Sequence, residues 1–115
     1  MTLEAFRAYC AAFPGFSEDL PFGPEVLAFR VGGRIFALMD VDAFESVNLK
    51  CDPERAVDLR EQHPGITPGY HMNKRHWNTV RTDGSVPHRL LLELARHSYE
   101  LVRASLPRKV RDTLG

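Results

Sequence analysis

The sequence predicts an α+β fold: a single domain, residues 1–115, in which an antiparallel sheet carries helices packed on one face. Three observations predict it. EVLAFRV-GG-RIFALMD sets two apolar runs around a two-glycine turn, a hairpin pattern in which both central positions need positive φ. SVPHRLLLELARHSYELVRASL carries Leu91, Leu94, Ala95, Ser98 and Val102 as one stripe at helical spacing. The order along the chain is helix, several strands, helix, strand, long helix.

Taken in order, TLEAFRAYCAAF reads as a helix capped by Thr2 and stopped at Pro14-Gly15. SEDLPFGPE is an extended, turn-rich link that opens on a short strand; its Glu18 and Asp19 read as a solvated acidic patch. In the hairpin, the Gly-Gly turn sets Val31 opposite Arg34, Arg30 opposite Ile35, Phe29 opposite Phe36, Ala28 opposite Ala37 and Leu27 opposite Leu38. Alternation then assigns Leu27, Phe29, Phe36 and Leu38 to the core. Arg30, Ala28, Ala37, Ile35 and Met39 fall on the opposite face. ESVNLKC turns Val47 and Leu49 inward and Ser46, Asn48 and Lys50 outward. DPERAVDLREQH is a short helix with Asp52 as cap and Pro53 at its first position. PGITPGYHMNKRH reads as a loop, WNTVRT as the last strand, and RKVRDTL as a frayed basic turn after Pro107. An antiparallel sheet leaves one face to water. Arg30, Asn48 and Lys50, with one side of the 77–81 strand, are therefore expected to form an open polar platform.

Composition narrows the function classes. The hydrophobic fraction of 43% and charged fraction of 26% are those of an ordinary folded domain. No apolar run approaches the ~18 residues of a membrane span. The start MTLEAFRAYC lacks a basic-then-apolar leader, so a cytoplasmic address and no membrane partner are expected. Cys10 and Cys51 read as reduced thiols, Cys10 as a small core group on its helix. At Cys51 a helix start and Lys50 favour the thiolate, while Asp52 and Glu54 oppose it. The formal net charge is zero but unevenly placed. Residues 1–61 hold six Lys/Arg against eleven Asp/Glu, and residues 62–115 hold nine against four. Such asymmetry signals either an anionic partner for the basic half or attraction between the halves.

The densest chemistry is YHMNKRHWNTVR, Tyr70 to Arg81, with three cations, two histidines and the chain's single Trp, and no acid. His71 and His76 stand about 140° apart on a helix and on opposite faces of a strand. No Cys or carboxylate within the segment completes a zinc set. No nucleophile-elbow, phosphate-loop or dinucleotide motif occurs, so no catalytic residues, metal or cofactor are expected. Lys50, Lys74, Arg75 and Arg81 suit phosphate neutralisation, and Trp77 or Tyr70 suits stacking on a base. Asn73 and Asn78 offer paired donors and acceptors. Against this, a lone Trp opening a strand is more often a core anchor, and Asn73 more often shapes a turn.

Four stretches, DLPFGPEVLAFRVGGRIFAL, VNLKCDPERAVDLRE, GITPGYHMNKRHWNTV and SYELVRASLPRKVR, together resemble the MmcQ/YjbR family over essentially the whole chain. The resemblance implies a fold similar to CyaY/frataxin and a double-wing arrangement proposed to bind DNA. The family signature falls here on Asn48, Lys50, Pro53, Gly69, Tyr70, His71, Met72, Asn73, Lys74, His76 and Trp77. Frataxin-type iron binding does not carry over, since its acidic first helix is matched only by Glu4.

The expected function is a small non-catalytic binding protein that engages DNA or another nucleic acid. The site comprises Arg30, Asn48, Lys50, Tyr70, His71, Asn73, Lys74, Arg75, His76 and Trp77. The alternative is a small anionic ligand, or an enzymatic pocket, built from Lys50, His71 and His76. A third reading is structural, with His71, Asn73 and Trp77 buried to pin the loop. The chain is expected to be a monomer or weak homodimer.

Overall fold

A computed structural model describes residues 1–69 and 72–114. The elements are α1 (Leu3–Ala11), β1 (Phe16–Asp19), β2 (Val26–Val31), β3 (Arg34–Asp40), β4 (Ser46–Lys50), α2 (Pro53–Gln62), β5 (Ile66–Pro68), β6 (Trp77–Arg81), α3 (His88–Ser105) and α4 (Arg108–Arg111). Six strands form one antiparallel sheet in the order β1-β2-β3-β4-β6-β5. The helices cover one face, and the other is open, as expected for an α+β domain. None of the described helices is long and apolar enough to cross a membrane.

Local chemistry explains the elements. The Thr2 side chain accepts the Ala5 amide at 3.1 Å at the start of α1, and Asp52 accepts the Arg55 amide at 3.2 Å at the start of α2. Gly32 and Gly33 turn β2 into β3 at φ 57° and 83°, a left-handed pair that other residues resist. The α3 stripe is buried as expected at Leu91, Leu94, Ala95, Ser98 and Val102, joined by Tyr99. Between helices and sheet lies an aromatic core. Phe29 and Phe36 lie 6.2 Å apart by ring centroid, Phe6 stacks on Phe29 at 5.9 Å, and Phe13 meets Tyr99 at 4.6 Å.

The hairpin departs from the simple register. Val31 pairs with Arg34 and Arg30 with Ile35, but a bulge then puts Phe29 opposite Ala37, Ala28 opposite Leu38 and Leu27 opposite Met39. Phe36 is the extra residue, so Phe36 and Ala37 both face the core and alternation resumes one residue out of phase. The expected assignments of Ala37 and Met39 to the open face, and of Leu38 to the core, are corrected accordingly. Ala37 and Met39 are buried among the core residues, whereas Leu38 is half-exposed on the open side.

At the bulged residue α3 contacts the sheet. The buried Ser98 hydroxyl donates to the Phe36 carbonyl at 2.6 Å and accepts the Lys50 amide at 2.9 Å. The β3–β4 ladder runs from Met39–Val47 to Ala37–Leu49, so Phe36 and Lys50 would be the next partners. The hydroxyl stands in for that ladder bond and satisfies both backbone groups. A second difference is β5: Pro64-Gly65 and Pro68-Gly69 mark a loop in the sequence, yet Ile66–Pro68 between them adds an edge strand to β6.

Candidate functional site

Lys50 and Trp77 are cross-strand partners at one end of β4 and β6. Val47, Leu49, Asn78 and Val80 take the inward positions, so Lys50 and Trp77 share the open face. Trp77 is half-buried there, which corrects the reading of it as a core anchor. Its backbone is held on both sides: its amide donates to the Asn73 carbonyl at 2.9 Å, and its carbonyl accepts the Gly69 amide at 2.8 Å. The approach is so close that a Cβ on Gly69 would sit 2.7 Å from the Trp77 Cβ.

The turn before Trp77 is built by Asn73. Its Oδ1 accepts the Arg75 amide at 3.0 Å, and its carbonyl also accepts the His76 amide at 3.2 Å. The His76 carbonyl in turn accepts the Cys51 amide at 2.8 Å, tying the turn to the start of α2. Arg60 clamps the same turn from α2, donating to the Lys74 carbonyl at 3.0 Å and to Asn78 Oδ1 at 3.3 Å. Asn78, expected as a base reader, is 2% exposed and belongs to this clamp. Asn73 is exposed, so the reading in which Asn73 and Trp77 are buried pins does not describe it. Lys74 and Arg75 project into solvent. Tyr70 and His71 lie outside the described residues.

The sequence-predicted cations separate into two groups. Arg30 is engaged locally, donating to Asp19 Oδ1 and to the Gly33 carbonyl, each at 2.8 Å. Arg81 is paired with Asp83 at 3.0 Å; the Ser85 hydroxyl and amide, and then this contact, hold the Asp83 carboxyl well below the usual range. Four further arginines, Arg7, Arg55, Arg96 and Arg108, are ion-paired. Lys50, Lys74 and Arg75 have no carboxylate partner among the described residues. The fold sets these three, with His76 and Trp77, at the same end of the sheet.

Beyond Lys50 the open face is less polar than expected. Asn48 accepts the Thr79 hydroxyl at 2.6 Å and donates to the Leu38 carbonyl at 3.4 Å, forming a polar ridge across β4 and β6. Beside it Val26, Ile35 and Leu38 floor an apolar trough of about 350 Å³, walled by Phe22 and Met72. A cleft of about 310 Å³ shares Val26 and Leu38 with the trough and adds Asp40, Glu45, Ser46, Asn48 and Thr79. The polar platform is thus corrected to an apolar recess, with carboxylates in the adjoining cleft and cations at the Lys50–Trp77 end of the sheet.

Burial pushes the Cys10 thiol up to about 12 and the Cys51 thiol up to about 11. At Cys51 this outweighs the pull of Arg55 and Arg60, so neither residue is poised as a nucleophile. His97 is shifted below its ordinary value, first by burial and then by Arg55; its Nε2 accepts the Asp52 amide at 3.3 Å. Among the described residues no three His, Cys, Asp or Glu side chains cluster as a metal set.

Sequence reasoning missed Phe22, Leu38 and Met72 as trough residues and Arg60 as the clamp. Leu38 changed faces through the bulge. Phe22 and Met72 sit in irregular segments where periodicity carries no signal.

A YjbR family model matches residues 11–101. The chain is 35% identical to YjbR of Escherichia coli K12 over 115 residues, covering 99% of this chain and 98% of that one. It is 39% identical to YbdF of Escherichia coli O157:H7 over 90 residues, 77% of this chain and 74% of the relative. The crystal structure of Deinococcus radiodurans protein DR2400, with a DUF419 domain, superposes with a TM-score of 0.93 at 44% identity over 99% of this chain and 88% of that one. A Pseudomonas syringae crystal structure gives 0.76 at 30% identity over 89% and 99%.

Proposed function

The chain belongs to the YjbR family, and we propose that it is a non-catalytic binding protein engaging nucleic acid at the Lys50–Trp77 end of its open sheet face. The observation that carries this reading is the register at one end of the sheet: Lys50 lies opposite the half-buried Trp77, the exposed Lys74 and Arg75 stand in the turn leading into it, and none of the three forms an ion pair among the described residues. Cations without internal partners keep their full charge for phosphates, and a neighbouring indole supplies a stacking surface. In this reading Asn48 lines the approach, and Asn73 holds the Lys74-Arg75 turn in shape. The two buried free thiols suit a reducing, cytoplasmic setting.

A small anionic ligand held by Lys50, His71 and His76 is the competing reading. The two clefts described above are lined by neither Lys50 nor His76. The test is fluorescence-anisotropy titration of labelled DNA and RNA with wild type and with Lys50→Ala/Lys74→Ala/Arg75→Ala, in low and physiological salt. Binding by wild type that weakens with salt and is lost in the triple variant supports the proposal. Equal binding by both proteins overturns it.

A further inference from the structure

The trough floored by Val26, Ile35 and Leu38 has no part in the phosphate contacts just described. We infer, resting on that nucleic-acid reading, that this trough receives an unstacked base, so that the ligand is single-stranded rather than duplex.

Three observations lead there. The recess is apolar and of ligand size: about 350 Å³ is within the range of small-molecule pockets, and its lining is Phe22, Val26, Ile35, Leu38 and Met72. Phe22 stands 66% exposed at its wall, unusual for an aromatic with an apolar floor beneath it. Base recognition outside a duplex works by this combination, in which the base slots between aromatic or apolar side chains and its edge meets polar groups. Asn48, on the strand next to Leu38, lines the adjoining cleft, and its amide, held by Thr79 and the Leu38 carbonyl, has its remaining hydrogen and lone pair to offer there.

The second observation is placement. β3 and β6 lie two strands apart in the sheet order, so at ~4.8 Å per strand the trough floor on β3 stands about 10 Å from Trp77 on β6. One strand can thus present a base to the trough and another to Trp77 while its backbone passes Lys50.

The third is charge. Asp40 and Glu45 border the cleft that continues the trough away from Lys50. A duplex laid along the face would bring phosphates against these carboxylates, and its paired bases could not enter the recess. A single strand turning its base inward keeps its phosphates on the cationic side.

The experiment compares a thymidine oligomer of roughly ten nucleotides with a duplex of the same length in low salt. It uses wild type, Phe22→Ala and Met72→Ala, each checked for an unchanged thermal melt. Wild type is expected to prefer the single strand at least fivefold. Phe22→Ala, which removes only an exposed ring, is expected to weaken single-strand binding roughly five- to a hundred-fold while leaving duplex binding unchanged. Equal affinity for the two ligands, or a preference that survives Phe22→Ala, overturns the inference and leaves the phosphate-binding reading standing. Binding of neither ligand overturns both.

Discussion

Ser98→Ala is the substitution that most directly tests how the site is positioned. It deletes one hydroxyl, yet that hydroxyl holds the Phe36 carbonyl at 2.6 Å and the Lys50 amide at 2.9 Å, with Ser98 itself fully buried. Alanine leaves a donor and an acceptor facing each other across a gap. An orphaned buried polar group costs about 1–3 kcal/mol, so two of them set a loss of roughly 2–6 kcal/mol. The loss falls toward ~1 kcal/mol if β3 and β4 close to form the missing ladder bond, but closure must absorb the Phe36 bulge and shift Lys50. Urea unfolding of wild type and Ser98→Ala, with equal m-values, measures the difference. A loss below about 0.5 kcal/mol would refute the ladder-substitution argument.

Three other expectations follow from named contacts. Gly69→Ala places a Cβ 2.7 Å from the Trp77 Cβ and 3.0 Å from its carbonyl oxygen; a loss of about 1–3 kcal/mol is expected in the same unfolding assay, since neither neighbour is the free end of a flexible chain. His97 accepts the Asp52 amide and is held below its ordinary pKa mainly by burial. Its contribution is therefore complete above about pH 6.5 and declines as pH falls toward the folded-state value, because the unfolded chain takes up the proton first; His97→Gln should flatten that part of a stability–pH profile. Cys10 and Cys51, buried and pushed up to about 12 and 11, should react with a thiol reagent at pH 7.5 far more slowly in the native protein than in urea, and rapid native labelling would contradict their burial.

Much of the fold could be read from the sequence because it is encoded locally. The Gly32-Gly33 turn, the alternation of Ser46–Lys50 and the α3 stripe each carry their own signal over a few residues. The hairpin register was legible only as far as Arg30 and Ile35. The bulged Phe36 is met by Ser98 from 62 residues away in sequence, and no local pattern contains that information. β5 was hidden because Pro64-Gly65 and Pro68-Gly69 read as breakers, whereas an edge strand tolerates both. At the site, alternation correctly put Asn48 and Lys50 outward with one side of the 77–81 strand, but it did not say that Trp77 lies on that side rather than in the core. The apolar trough stayed hidden because it is assembled from a bulge-displaced Leu38 and two side chains from irregular segments. Arg30 illustrates the converse. Its face was right, but its pairing with Asp19 depends on β1 lying alongside β2.

The central claim, that the Lys50–Trp77 end of the sheet binds phosphates, is tested most directly by the salt dependence of wild-type binding to single-stranded DNA. Three phosphate-neutralising side chains predict a slope of log K against log salt of roughly −2. Removing any one of Lys50, Lys74 or Arg75 should make the slope shallower by about 0.7. A slope near zero, or one unchanged by all three substitutions, would contradict the account.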